Sequence, residues 1–286
     1  MRRLALIATV AAVALLASGC DLRFLNPPGT APLRYRDPVF AGVTKTADIT
    51  YGSANNLSGQ TITLKMDEYA PTGDTVTKRP VIVWVHGGSF SGGDKTSPEL
   101  VDESNTFAKK GYLNFSINYR LEPGGCSASS PTSDCIKAIQ EATADAQTAV
   151  KFLRSNASTY NLDPTRIAIG GSSAGAITAL NVGFGTSENS AAAVRAAVSL
   201  SGSFLGNGSI GPGDAPSLLF HGTSDTIVPY AWAVNTYNLA RAAGLTSYLT
   251  SFQGDGHVPY VQHRTEILDQ TSNFLYWELD LAKAPQ

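Results

Sequence analysis

What is scarce in this chain narrows it before any motif is read. Only four histidines and three cysteines occur in 286 residues, and none falls at the close, paired spacings that hold zinc, so no metal is expected. Lys and Arg number 21 against 23 Asp and Glu, a formal charge of −2. With no cluster of cations there is no field for nucleic acid, and no such partner is expected. Internal repeats and low-complexity breaks are also missing. At 43% hydrophobic residues, that leaves one domain with a single large core. The one long apolar run, Leu4 to Leu16, is too short to span a bilayer comfortably.

That run follows Arg2-Arg3 and ends in Ala17-Ser18-Gly19-Cys20, the layout of an export signal over residues 1–19. Small residues before a cysteine resemble the lipobox of bacterial lipoproteins. By that resemblance, cleavage precedes Cys20, whose thiol is lipidated, and the chain is held on the outer face of a bacterial membrane. The alternative is an ordinary secretory signal and a secreted protein. Residues 20–40 are rich in proline and lack periodicity, which reads as a tether, leaving 41–286 as the catalytic domain. If Cys20 carries lipid, Cys126 and Cys135 are free to close one disulfide in an oxidising compartment.

The most informative stretch is Arg166 to Leu180. An apolar strand runs into Gly171-Ser172-Ser173-Ala174-Gly175, and an alanine-rich helix follows. A sharp strand-to-helix turn leaves no room for side chains beside its central residue, which accounts for the glycines and lifts the Ser173 hydroxyl above the sheet. The free amides of the new helix point at the same spot, so negative charge arising there meets a donor and a favourable dipole.

When a serine in such an elbow is a nucleophile, an acid and a histidine follow it after later strands. Asp225 lies in the polar turn after the strand Ser217 to Phe220, and His257 in a Gly-rich loop after the strand Thr246 to Phe252. Ser173, Asp225 and His257 are therefore expected to converge at the carboxyl edge of one parallel sheet. Asp255 is the rival acid, but it stands two residues before the base it would orient, and turn chemistry explains Gly-Asp-Gly. His86 and His221 each end a strand just before glycine and are expected to make local hydrogen bonds. His263, at the start of a terminal helix, is expected on the solvated surface.

Earlier, the strand Val81 to Val85 opens into His86-Gly87-Gly88-Ser89-Phe90, which sets small, flexible amides beside the serine, as an oxyanion hole requires. Here the chain resembles the α/β-hydrolase esterases, in particular the carboxylesterase and hormone-sensitive-lipase-like branch that includes bacterial feruloyl and acetyl esterases. The similarity covers most of residues 60–280. It implies oxyanion donors at the amides of Gly88, Ser89 and Ala174, with Ser89 standing where the family motif has a third glycine. It also implies that Asn118 to Leu121 packs behind the oxyanion loop.

The expected fold is α/β: a mostly parallel eight-stranded sheet with helices on both faces. Helical patterns cover Cys135 to Asn156, Ala174 to Val182, Ala231 to Ala243 and Arg264 to Ala282. Only a short Gly/Pro/Asp-rich loop precedes Ser217, where lipases often carry a lid, so an open, shallow site is expected. Phe90, Phe204, Tyr230 and Tyr260 are placed near it, and the sequence does not separate lining from core for them. The implied chemistry is hydrolysis of short-acyl or accessible esters, small or polymer-borne, through an acyl-enzyme, with no cofactor. A serine peptidase of the prolyl-oligopeptidase type, or a non-catalytic binding lipoprotein on the same fold, is the alternative.

Overall fold

The computed structural model describes residues 27–126, 132–206 and 208–286. Cys20 and the export signal lie outside them. One eight-stranded sheet organises the domain. Its strands in chain order are β1 (Val43–Asn55), β2 (Thr61–Pro71), β3 (Arg79–Val85), β4 (Leu113–Ile117), β5 (Leu162–Ser172), β6 (Ala196–Leu200), β7 (Ser217–Gly222) and β8 (Ser247–Phe252). Across the sheet they run β1-β2-β4-β3-β5-β6-β7-β8. The first two pairings are antiparallel and the rest parallel. Strands β3, β4, β6 and β7 are buried along their whole length, as continuous apolar runs such as Val81-Ile82-Val83 require when helices cover both faces.

Helices α1 (Pro98–Lys109), α2 (Ser133–Ser155), α3 (Ala157–Tyr160), α4 (Ala174–Gly185), α5 (Tyr230–Ala242) and α6 (Tyr260–Glu278) make the covering layers. Phe107 of α1 and Leu275 of α6 pack with Trp84 and Phe220 on one face. On the other, Ala142, Ala146 and Val150 of α2 and Leu180 of α4 pack with Ile169 and Val83. Burying each large apolar side chain is worth roughly 1.5–3 kcal/mol. The alanine stripe of α2 lets that helix lie close to the sheet. Its start is capped by Thr132, whose Oγ1 accepts from the amide of Cys135.

Two departures from the sequence reading stand out. First, α1 is an unforeseen helix. Parallel neighbours β3 and β4 need a crossover, but its apolar stripe is interrupted by Glu103 and Ser104, both buried, so the helical period is obscured. Second, the expected tether does not run free to residue 40. Tyr35 is fully buried, its amide donates to the carbonyl of Lys110 at 2.7 Å and its hydroxyl to that of Pro285 at 2.6 Å. Arg34 pairs with Asp74. An aromatic ring and a buried ion pair hold residues 33–40 onto the domain as a strap.

From β3 the chain steps to one side to make β4, then returns to the other side to make β5. The carboxyl ends of β3 and β5 are therefore a topological switch point, where loops diverge and leave a crevice.

Candidate active site

The elbow sits at that crevice. Ser173, between β5 and α4, has φ 53° and ψ −119°, a conformation that costs a non-glycine residue on the order of 1–3 kcal/mol. It is held by its amide, which donates to the carbonyl of Leu200 at 2.9 Å, and by its carbonyl, which accepts from Ile177 at 3.0 Å. A Cβ on Gly171 would lie 2.4 Å from the Val85 carbonyl oxygen, and one on Gly175 only 1.9 Å from it. Those two positions admit glycine alone. Neighbouring Ser172 borders the same cleft, but its hydroxyl is engaged elsewhere, donating to Glu99 at 3.0 Å.

Nε2 of His257 lies 2.8 Å from Ser173 Oγ, and Nδ1 lies 2.7 Å from Asp225 Oδ2. A carboxylate can only accept, so Nδ1 carries the proton and Nε2 is left to receive one from Ser173. The side chain of Asp225 is wholly covered, whereas that of His257 is 21% exposed. The second oxygen of Asp225 accepts from the amides of Ile227 and Val228 at 2.9 and 3.0 Å. Burial would raise this carboxyl's pKa. Hydrogen bonds from His221, His257 and the Ile227 amide outweigh it and hold the group well below the usual carboxylate range.

His221 makes the local hydrogen bond expected of it, to the Val228 carbonyl at 2.8 Å. It also reaches Asp225, which the sequence reading did not foresee: its Nε2 is 3.1 Å from Oδ2. The i, i+4 spacing after a buried strand was the available signal. Asp255, the rival acid, bonds His263 instead. His263 is accordingly not a free surface residue, for its ring also stacks on Phe252 at 3.9 Å.

The carbonyls of the loop after β3 are engaged within the loop and by the segment after β4. The Gly88 carbonyl accepts from the amides of Ser91 and Gly92, the Ser89 carbonyl from Cys126 at 2.9 Å and the Phe90 carbonyl from Glu122 at 2.8 Å. His86 Nδ1 donates to the Gly87 carbonyl at 2.7 Å. In a trans peptide N–H and C=O point in opposite directions, so the next amides, Gly88 and Ser89, are turned out of the loop's interior. Gly88 has φ 116°, and a Cβ there would meet the Gly92 carbonyl oxygen at 2.2 Å. Burial pushes the His86 imidazole pKa down, which keeps it neutral. Its ring stacks on Tyr119 at 4.4 Å, whose hydroxyl donates to the His86 carbonyl. The segment after β4 thus braces this loop from behind.

Ser173 opens onto two cavities rather than one shallow face. A cleft of about 720 Å3 runs past Gly88, His257, Val258 and Tyr260. A pocket of about 360 Å3 runs past Ala174, Phe90, Phe204 and the Cys126–Cys135 disulfide. Tyr230 borders neither; its hydroxyl meets Ser251. Residues 201–206 and 208–216 carry no helix that would cover the mouth.

Residues 66–203 match the BD-FAE family model, a stretch that holds the glycine-rich loop after β3 and the elbow but stops short of Asp225 and His257. Para-nitrobenzyl esterase of Bacillus subtilis is 34% identical over 120 residues, 40% of this chain and 23% of that protein. Phenmedipham hydrolase of Pseudarthrobacter oxydans is 35% identical over 99 residues, 34% of this chain and 18% of that protein. The chain therefore matches a quarter or less of these relatives' lengths. Among solved structures, esterase 2 of Thermogutta terrifontis, phosphorylated by paraoxon, superposes with a TM-score of 0.67 at 20% identity, covering 89% of this chain and all of that one. The superposition shows that the chain has the α/β-hydrolase fold, and the family match covers residues 66–203, just under half of its length.

Proposed function

We propose that this protein is a serine carboxylic-ester hydrolase that works through an acyl-enzyme. The observation that carries the reading is the hydrogen-bonded chain from Ser173 through His257 to Asp225, in a cleft that Gly88 and Ser89 also line. Ser173 Oγ attacks the ester carbonyl carbon as its proton passes to His257 Nε2, and the carbonyl oxygen becomes an oxyanion facing the amides of Gly88, Ser89 and Ala174. Asp225 holds the imidazole in the required tautomer and stabilises its cation. The tetrahedral adduct collapses as His257 returns the proton to the alcohol oxygen and the C–O bond breaks. Water then repeats the sequence on the acyl-enzyme, giving the acid and free Ser173.

The decisive variant is Ser173→Ala, assayed on p-nitrophenyl acetate and butyrate. Because members of such a triad act as a unit, kcat should fall by on the order of a million-fold with the fold intact. Activity within tenfold of the parent would end the reading. A matched series of amides should be turned over far more slowly than the esters. The esterase names of the relatives, and the reaction of the Thermogutta protein with paraoxon, support the same chemistry here.

For location, the ending Ala17-Ser18-Gly19-Cys20 supports cleavage before Cys20 and lipidation of its thiol, with the enzyme held at a membrane surface. Mass spectrometry of the mature amino terminus decides this. A lipidated Cys20, and loss of detergent partitioning in Cys20→Ser, are expected; an unmodified terminus beyond Cys20 would contradict it.

A further inference from the structure

Ser173 stands between two cavities of unlike shape and chemistry. The smaller is apolar, lined by Phe90, Ile139, Ile177 and Trp232 together with the Cys126–Cys135 bridge and Ile136. The wider holds His257 and Val261 and ends at the Asp102–Arg264 ion pair. Ser89, Ser173 and Ile227 border both, but His257 borders only the wider one.

That asymmetry assigns the two halves of an ester, given the ester-hydrolase reading above. In the tetrahedral adduct one carbon carries Ser173 Oγ, the oxyanion, the acyl chain and the alcohol oxygen. The bond to the alcohol breaks only when its oxygen receives the proton from His257 Nε2, so the alcohol must lie on the His257 side. The oxyanion faces the amides of Ser89 and Ala174. The remaining substituent, the acyl chain, is directed into the smaller pocket. We propose that this pocket is the acyl site and that the Cys126–Cys135 disulfide, with Ile136 beside it, is the wall that limits acyl length.

The bridge acts at two points. Cys135 is in the first turn of α2, while the Cys126 amide donates to the carbonyl of Ser89 at 2.9 Å, the residue whose own amide faces the oxyanion. The end wall of the acyl pocket is therefore coupled to the oxyanion loop, by the disulfide as far as Cys126 and from there by a hydrogen bond. An acyl chain that presses on the wall also displaces a catalytic donor, so discrimination against long acids falls on kcat as well as on KM.

The test holds one half of the ester constant at a time. kcat/KM is measured on p-nitrophenyl acetate, butyrate and octanoate, and separately on methyl, phenyl and naphthyl butyrate, for the parent and three variants. Ile136 is 44% and Val261 85% exposed, so a larger side chain is accommodated at either without disturbing the core. Ile136→Trp should lower the octanoate-to-acetate ratio about tenfold, the scale of one or two methylenes in an apolar pocket, and leave the alcohol series within twofold. Val261→Trp should do the reverse. The double variant Cys126→Ala, Cys135→Ala should raise the octanoate-to-acetate ratio several-fold while lowering kcat on acetate; if it does not fold, the two tryptophan variants still decide. Swapped effects, or an acyl series unmoved by Ile136→Trp, overturn the assignment. A parent that hydrolyses none of these esters overturns the ester-hydrolase reading instead.

Discussion

Nε2 of His221 lies 3.1 Å from Oδ2 of Asp225, the same oxygen that receives the hydrogen bond from His257. Both side chains are fully covered. Two imidazoles and two backbone amides thus converge on one carboxylate, which is what keeps it ionised despite burial. The bound anion has almost no freedom to rotate, and the His257 ring inherits that fixed direction.

Replacing Asp225 should therefore be costly in a way that replacing Asp255 is not. Asp225→Asn is expected to lower kcat/KM by on the order of ten-thousand-fold, because an amide no longer selects the tautomer that accepts from Ser173. Asp255→Asn, which loses only the bond to His263, should change it less than about tenfold. Steady-state kinetics of the two variants side by side checks this. A larger loss at Asp255 would move the acid of the triad there.

His221→Ala leaves one fewer donor on the carboxylate and removes a buried ring. It should lower kcat about ten- to hundredfold with KM little changed, and also lower the melting temperature. A loss of stability with unaltered kcat would mean that His221 is purely structural.

His86 holds the Gly87 carbonyl by a hydrogen bond, and so fixes the loop proposed to supply the oxyanion amides. In His86→Ala that carbonyl is free to turn, and the Gly88 amide turns with it. Removing one oxyanion donor typically costs on the order of a hundred- to a thousandfold in kcat, and a misdirected one should cost part of that, roughly ten- to a hundredfold. Pre-steady-state acylation rates measure it directly; an unchanged acylation rate would contradict the orienting role.

Stability should decline from mildly acidic to mildly basic solution. Burial pushes the Glu278 carboxyl up to about 7, with Arg195 opposing. Burial and the hydrogen bond with Glu122 push Glu141 up to about 7 against the pull of Arg120. Unfolded glutamates titrate near 4.3, so between roughly pH 4.3 and 7 the folded chain holds protons that the unfolded chain has released. Their contribution is full below pH 4.3 and lost as pH rises through 7. Thermal unfolding at pH 5 and pH 8 should show the higher midpoint at pH 5, and Glu278→Gln should narrow the gap. An unchanged gap in that variant would contradict the assignment.

How much of this was legible in the sequence depends on the range of the forces involved. The parallel sheet could be read from Val81 to Val85 and Arg166 to Gly170 because strands buried on both faces are apolar throughout. Gly171 and Gly175 were legible because only the absence of a side chain fits beside Val85. Helix α1 was not, since buried Glu103 and Ser104 break its stripe. Nor was the strap at Tyr35, which is fixed by partners 75 and 250 residues away, at Lys110 and Pro285. The second neighbour of Asp225 and the pairing of Asp255 with His263 rest on contacts between loops, which carry no periodic signal. The two cavities are likewise shaped by side chains brought together from distant elements, so a single shallow opening was the most that the short loop before Ser217 could suggest.

The central claim is that Ser173 is the nucleophile. It is tested most directly by reacting the protein with a fluorophosphonate and mapping the adduct by peptide mass spectrometry. One phosphonyl group on Ser173 is predicted, with labelling slowed at least a thousandfold in His257→Ala, as expected when the nucleophile loses its base. An adduct on Ser172 or any other serine, or labelling of Ser173 at the parent rate without His257, would contradict the account.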